Sequence, residues 1–268
     1  MSSFRKYINV LSIAKSNRKV FFLSFISKLL YLPLTILITY FIWFCIYSYA
    51  KVDKINGVDL LDMTRYFFTA RIVMYMTSFY KNQSYRIWED INSGKLSVFL
   101  SRPISYTKYQ LMYTFGYVIY NFVIMLPVLF IGIVVLQINI LKCMDILLFI
   151  LSIINSMFIT FCIYSIIGLI TFWNDAVFSL KSLIDKIGLI LTGSIIPLNF
   201  LPSSIYFITK ITPFSSMVYI PIRLLSSHLN VNDSCTLLGI QIFWCIFLWI
   251  CFNIIWKIGV KKYQAQGG

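Results

Sequence analysis

The sequence predicts an all-α integral membrane protein with six transmembrane helices. Hydrophobic residues make up 59% of the 268 residues, charged residues make up 12%, and the mean hydropathy is +0.83. Soluble domains carry about 25% charged residues, so this composition indicates a polytopic membrane protein. Six apolar stretches approach or exceed the ~20 residues that a helix needs to cross a bilayer. We expect residues 1–268 to form a single transmembrane domain.

The predicted elements follow one another with short connections. Residues 1–19 place apolar residues on one helical face and basic residues on the other, which predicts an amphipathic helix in the membrane interface. Residues 201–230 are apolar but interrupted by Pro202, Pro213 and Pro221, which favours re-entrant half-helices over a spanning helix. The spans are predicted at 21–48, 63–81, 109–136, 144–172, 183–200 and 236–257.

The net charge of +14 is explained by membrane topology. With six spans both termini share a side, and most Lys and Arg residues lie on that side, including those in 86–105 and 173–186. The positive-inside rule therefore predicts that both termini and both polar interruptions are cytoplasmic. Because the basic residues lie between spans, a nucleic-acid partner is not expected.

The longest polar interruption, RIWEDINSGKLSVFLSRPIS at 86–105, is predicted to be a docking element for a soluble partner. Trp88 is an aromatic anchor of the kind that dominates such contacts. Glu89 and Asp90 point about 100° apart on a helix, so they form no acid/base pair. We expect them to start or cap a short surface helix, where carboxylates favour the amino end. Gly94 permits a sharp change of direction after it. The alternative is an ordinary surface loop.

Arg71 interrupts span 2, and an arginine at that depth usually faces protein or water. We expect it to line a substrate route or to pair with a carboxylate. The alternative is a shifted span boundary with Arg71 reaching a membrane surface. On span 3, Tyr113, Tyr117, Tyr120 and Phe122 are candidates for the same route, with ordinary helix packing as the alternative.

No catalytic residue or metal site is predicted. Gly94 and Lys95 resemble the end of a phosphate-binding loop, but its first glycine and its Ser/Thr are missing. His228 has no plausible metal partners in the sequence. Cys143 and Cys235 fall in loops placed outside the cell, so a disulfide between them is an open question.

Three motifs occur in order along the chain: WEDINSGKLSVFLSRPI at 88–104, PLNFLP at 197–202 with PF at 213–214, and GVKKYQAQGG at 259–268. The first resembles the cytoplasmic signature "I-x-x-G-x-L, then L-x-R-P" of ABC type-2 export permeases, in particular the branch with viologen-exporter-like and natural-product-exporter-like members. The second resembles an element that this branch carries after span 5, and the third resembles its closing G-x-x-x-Y-x-x-x-G-G pattern. Together the three motifs cover nearly the whole chain.

The resemblance implies a six-span permease with a cytoplasmic coupling helix between spans 2 and 3. Two permeases, identical or related, would pair in a bacterial inner or plasma membrane. Each would rest on one of two ABC ATPase subunits that bind ATP and Mg²⁺. The cargo would be a drug, toxin, peptide or lipid-like compound. The residues that match the coupling segment are Trp88, Glu89, Asp90, Gly94, Arg102 and Pro103.

Two other function classes fit the sequence less well. An ATPase-independent carrier or channel usually places several ionisable residues within its spans, and here Arg71 is the one candidate. An intramembrane enzyme would need a nucleophile with a base, or a metal cluster, at one depth, and the sequence suggests neither.

Overall fold

A computed structural model describes residues 18–77, 82–101, 103, 105–138, 143–226 and 229–266, which are almost entirely helical. The interfacial helix predicted over 1–19 lies outside this part of the chain except for its last two positions, which belong to the first helix. Arg102, Ile104, His228 and the closing Gly267 and Gly268 also lie outside it.

The chain begins with a long helix and returns through a tight hairpin. Helix α1 (Arg18–Ala50) leads to strands β1 (Lys54–Ile55) and β2 (Val58–Asp59), which pair antiparallel. Asn56 and Gly57 form the turn with φ of 50° and 78°, the positive φ pair that a two-residue hairpin turn requires. Helix α2 (Leu60–Thr77) follows directly.

The polar interruption, for which one short helix was predicted, folds into two. Helix α3 (Gln83–Asn92) and helix α4 (Lys95–Leu100) are joined at Gly94, whose φ of 73° is the left-handed conformation that glycine adopts without penalty. Helix α5 (Tyr106–Val135) begins after Pro103.

The fifth predicted span and the second polar interruption were misplaced. Helix α6 (Cys143–Leu169), extended by a 3₁₀ turn (Ile170–Phe172), is followed by helix α7 (Val177–Leu191) rather than by a span at 183–200. Lys181 and Asp185, one turn apart on α7, form an ion pair at 2.7 Å. Most of the stretch predicted as a polar interruption therefore lies within α7, and only residues 173–176 lie outside a helix.

Three short helices occupy the proline-rich segment. A 3₁₀ turn (Leu198–Phe200) precedes α8 (Ser203–Ile211), α9 (Pro213–Met217) and α10 (Tyr219–Ser226), and helix α11 (Val231–Gln266) closes the fold. The apolar side chains of α8 are largely exposed, whereas nearly all of α10 is buried. This division fits half-helices of which one faces lipid and another lies within the protein.

Among the residues described, three helical stretches are long and apolar enough to cross a membrane: Tyr31–Ala50, Met144–Phe172 and Val231–Tyr263. Helix α2 carries three charged residues, and α7 has only 15 residues, fewer than the ~20 that a span needs. The chain is therefore an all-α, multi-pass membrane protein, and the total of six spans stays a prediction.

Helix α6 is the central helix, in contact with α2, α3, α7, α9, α10 and α11. Apolar clusters gather near both of its ends. One end, around Leu169, packs with α3 and α4, while Leu148 near the other end packs with α10 and the start of α11. These positions lie roughly 30 Å apart at about 1.5 Å per residue, which matches the thickness of a hydrocarbon core.

Helix α3 approaches α6 closely at Gly168. A Cβ atom added there would lie 2.8 Å from the Cβ of Ile87 and 2.9 Å from the carbonyl oxygen of Ser84. Both neighbours are held by the α3 backbone, so neither can move without moving the helix. Only glycine fits at position 168 with α3 in its present place.

We predict that Gly168→Ala forces α3 away from α6 and destabilises the protein by about 1–3 kcal/mol, the usual penalty of an overpacked core. Gly239→Ala on α11 is the matched control, since a Cβ there has no atom within 4 Å. Thermal unfolding of both variants in one detergent checks this. An unchanged melting temperature for Gly168→Ala would contradict the close packing.

Candidate functional site

Helices α3 and α4 pack on the end of α6 as part of the protein core. Ile87 and Ile91 of α3 and Leu96 of α4 are buried against Leu169 and Phe252 of α6 and α11. The segment predicted to dock a partner is therefore held firmly on its inner side. Its position is set by the burial of apolar surface, which is the largest favourable contribution to folding.

The outer side of α3 and α4 is available for contact. Tyr85 is 45% and Val98 50% exposed, and Asn92, Lys95 and Ser101 are exposed beside them. Glu89 and Lys95 form an exposed ion pair at 2.7 Å across the Gly94 turn. We call the side formed by Tyr85, Glu89, Asn92, Lys95 and Val98 the outer face.

Trp88 lies beneath the outer face rather than on it. Its ring stacks on Tyr85 with a centroid distance of 5.5 Å and meets Phe178 of α7 edge-on at 5.1 Å. The indole Nε1 is buried and has no hydrogen-bond partner among the residues described. Trp88 thus joins α3 to α7 instead of being a free aromatic anchor.

Glu89 and Asp90 do not start or cap the helix, contrary to the sequence-based expectation. They lie in the second half of α3, which begins at Gln83. Asp90 accepts hydrogen bonds at 2.8 Å from the Tyr106 hydroxyl and from Gln110 Nε2, so its place is set by α5. Glu89 is placed by its contact with Lys95.

Arg86 turns inward and ends in a polar network between α3 and α5. Its Nη2 donates to Gln83 Oε1 at 2.6 Å, to Gln110 Oε1 at 2.7 Å and to Thr114 Oγ1 at 3.1 Å. The guanidinium carbon also lies 4.0 Å from the centre of the Tyr113 ring, a cation–π contact. The network fixes α3 against α5 with charge-assisted hydrogen bonds, which are stronger than neutral ones.

Burial shifts the pKa values of the two charged groups in opposite directions. It lowers the pKa of Arg86, against the effect of Tyr113 and other neighbours. It raises the pKa of the Asp90 carboxyl above its ordinary value, while the Tyr106 hydrogen bond and the Arg86 charge oppose the rise. Folding therefore favours the protonated form of Asp90, and this contribution to stability is lost as the pH rises through the folded-state pKa.

The sequence reasoning missed this network, although a signal for it exists. Tyr106, Gln110 and Thr114 recur every four residues at the start of α5, and this spacing places them on one helical face. Polar residues with that spacing on an otherwise apolar helix indicate an internal polar contact.

A second feature is a cavity of about 290 Å³ among α1, α2, α6, α7 and α9. Arg71 lines it, and its Nε atom is buried with no hydrogen-bond partner in the described part of the chain. A place for Arg71 on a substrate route stays a prediction. Asp185 and Tyr164 also line the cavity. The Tyr164 hydroxyl donates a short hydrogen bond to Asp185 Oδ1, and Lys181 Nζ lies 2.7 Å from Oδ2.

The other predicted site residues are distributed differently. Tyr113 belongs to the Arg86 network and is not among the residues that line the cavity. Tyr117 and Tyr120 lie on α5, but their side chains fall outside the described part of the structure, as does Arg102. Pro103 is exposed between α4 and α5. Cys235 carries a free thiol.

One comparison with known proteins identifies the kind of chain. A family model described as ABC-2 family transporter protein matches residues 33–267, most of the sequence, including α3–α4 and every residue that lines the cavity except Tyr31. No curated protein sequence matches the chain.

We predict that Asp90→Ala lowers the free energy of unfolding by about 1–3 kcal/mol, because the buried Tyr106 hydroxyl loses its acceptor and the Gln110 amide loses one of two. Asp90→Asn keeps an acceptor oxygen without the buried charge, so its loss should be smaller. Because protonation stabilises the folded state, the wild type should gain stability relative to Asp90→Asn as the pH is lowered.

The measurement is thermal unfolding in detergent at several pH values. Equal losses of unfolding free energy in Asp90→Ala and Asp90→Asn would contradict this account of the carboxyl. So would a stability difference between the wild type and Asp90→Asn that does not change with pH.

Proposed function

This chain belongs to the ABC-2 family of transporters, and from that premise we propose that it is the membrane-spanning permease subunit of an ATP-binding-cassette exporter. The family match over residues 33–267 carries the proposal. Membership implies an ABC ATPase subunit as partner and a role in transport rather than catalysis. In the proposed complex, ATP and Mg²⁺ bind to the ATPase, and this chain provides the route for the cargo.

The outer face of α3 and α4 is the proposed ATPase contact. It combines an exposed aromatic ring, an apolar side chain and an ion pair on a segment whose inner side is anchored in the core. Asp175, in the next polar segment, accepts a hydrogen bond from Asn92 at 3.2 Å, so residues near 175 lie beside this face. Such a rigid, mixed surface is suited to a soluble partner.

The complete transporter is proposed to contain two permeases, identical or related, and two ATPase subunits in a bacterial inner or plasma membrane. Both termini and α3–α4 are then cytoplasmic. The cargo is a drug, toxin, peptide or lipid-like compound that leaves the cell.

The second candidate function is an ATPase-independent carrier. One observation favours it: Arg71, an arginine within a predicted span, lines a cavity, and carriers use intramembrane charges for coupling. Recovery of a bound ATPase separates the two candidates.

We predict that Val98→Asp reduces recovery of the ATPase at least tenfold when the tagged chain is purified in mild detergent. A buried charge at the contact is costly, whereas Val98 is half exposed in the free chain, so the fold should be unaffected. Val231→Asp is the control, because Val231 is 77% exposed at the start of α11. That position is far from the α11 residues that pack near α3.

Equal recovery of the ATPase with Val98→Asp and Val231→Asp would remove the outer face from the contact. A chain that is purified without any ATPase and still moves solute would remove the exporter function itself.

The proposed orientation predicts the accessibility of single cysteines in a background without the six native ones. Lys54→Cys, in the exposed hairpin, should react with a membrane-impermeant maleimide added to intact cells, and Lys95→Cys on α4 should react only after lysis. The reverse pattern would invert the topology.

A further inference from the structure

We propose that the cavity beside Arg71 binds the acidic headgroup of an amphipathic anion, and that anions of this class are the cargo. As a statement about cargo, this proposal rests on the proposed export function. As a statement about binding, it rests on the cavity itself.

The charges around the cavity favour an anion. Asp185 is compensated by Lys181 at 2.7 Å and by the Tyr164 hydroxyl. No carboxylate in the described part of the chain forms an ion pair with Arg71. Arg71 and Asp185 are the charged residues that line the cavity, and Lys181, which lies outside the lining, pairs with Asp185. The charge of Arg71 is therefore left without a counterion among the described residues, and an unpaired charge within the membrane is costly. A bound anion would remove that cost.

The chemistry of Arg71 favours a carboxylate or a phosphate. A guanidinium presents planar, forked donors that match the paired oxygens of these groups. No described residue accepts a hydrogen bond from Arg71; its Nε atom is enclosed by protein, so the terminal Nη nitrogens are the donors that a ligand would reach. Lysine offers the same charge without this geometry, which provides a test.

The remaining walls favour an apolar body attached to the headgroup. Met74, Ile184, Leu189 and Phe214 line the cavity, and the rings of Tyr31 and Tyr75 meet edge-on at 6.4 Å at its side. Ligand pockets are usually apolar with a few convergent polar groups, and this arrangement has that form.

The size of the cavity restricts the ligand. Its volume of about 290 Å³ corresponds to roughly ten water molecules at ~30 Å³ each, slightly below the usual range of about 300–1,000 Å³ for small-molecule pockets. A headgroup and the first part of an alkyl or aromatic chain fit inside. A folded peptide or an oligosaccharide does not.

Gly188 offers a way to fill the cavity without disturbing its walls. A Cβ at this position would lie 3.8 Å from the Phe214 ring, an ordinary contact, and the lining at Gly188 leaves room beyond it. Gly188→Leu should therefore project a side chain into the ligand space.

The experiment measures equilibrium binding of tritiated dodecanoate to the purified full chain in nanodiscs made only from zwitterionic lipid, with empty nanodiscs as background. Tritiated dodecanol serves as the uncharged analogue, and inorganic phosphate as a competitor without an apolar body. We expect saturable binding of dodecanoate, at least tenfold weaker binding of dodecanol, and no displacement by millimolar phosphate.

The variants separate charge, geometry and space. Arg71→Gln should weaken dodecanoate binding at least tenfold and leave dodecanol unchanged. The dodecanoate affinity of Arg71→Lys should lie between those of Arg71→Gln and the wild type. Gly188→Leu should weaken the binding of both dodecanoate and dodecanol. Arg65→Gln is the matched control on α2, because Arg65 already has partners in Asp62 at 2.7 Å and the Leu136 carbonyl at 2.8 Å and does not line the cavity.

Wild-type affinity for dodecanoate in Arg71→Gln, or equal affinity of the wild type for dodecanoate and dodecanol, would overturn the proposal. Efficient displacement by phosphate would overturn the requirement for an apolar body. Since no ATPase takes part, Arg71-dependent binding by a chain that recovers no ATPase would support the site and refute the exporter. Recovery of the ATPase without Arg71-dependent binding would support the exporter and refute the anion site.

Discussion

The approach of α3 to α6 at Gly168 is the constraint on which the packing at this end of α6 depends. A helix of ten residues is too short to be stable by itself in water, so α3 exists because Ile87 and Ile91 are buried. The absence of a side chain at Gly168 lets the two backbones come close enough for that burial. Small residues serve the same purpose at helix contacts within membranes. Once α3 is fixed, α4 and the outer face follow from the turn at Gly94.

The Arg86 network adds a constraint of a different kind. Apolar packing sets the distance between helices but tolerates sliding, whereas hydrogen bonds to a buried guanidinium require particular partners at particular places. Gln83, Gln110 and Thr114 provide those partners. Gln110 accepts from Arg86 through Oε1 and donates to Asp90 through Nε2, so the network continues to Asp90. Helix α5 is thereby held in register with α3. A displacement of α3 must carry the start of α5 with it or leave a buried charge unpaired.

Much of this architecture could be predicted from the sequence, and the failures have physical reasons. Composition predicted the membrane class, and Gly94 predicted a turn at its own position. The apolar runs predicted the boundaries of α1, α5 and α6 to within a few residues. The fifth span was predicted too far along the chain, at 183–200 instead of Val177–Leu191, because the ion pair between Lys181 and Asp185 lets a polar stretch be helical. Arg86 lies in the segment that was predicted to dock a partner, and its inward direction was missed because two of its three acceptors lie 24 and 28 residues away. Arg71 was expected to face protein or water because a charge is costly against lipid, and it lines the cavity; its place on a substrate route stays a prediction.

Helix α7 connects the two sites. Its Phe178 touches Trp88 beneath the outer face, and Asp185 lines the cavity two helical turns further along, roughly 10 Å at about 1.5 Å per residue. A movement imposed on α3 reaches α7 through the contacts of Tyr85 and Trp88 with Phe178. The hydrogen bond from Asn92 to Asp175, two residues before α7, is a further link. Rotation of α7 would then change the distance between the Asp185 carboxylate and Arg71 on α2. The affinity of the cavity for an anion would change with it. In this scheme a site that holds an anion while Asp185 stays with Lys181 and Tyr164 would release it when that carboxylate turns toward the ligand, since like charges at close range repel.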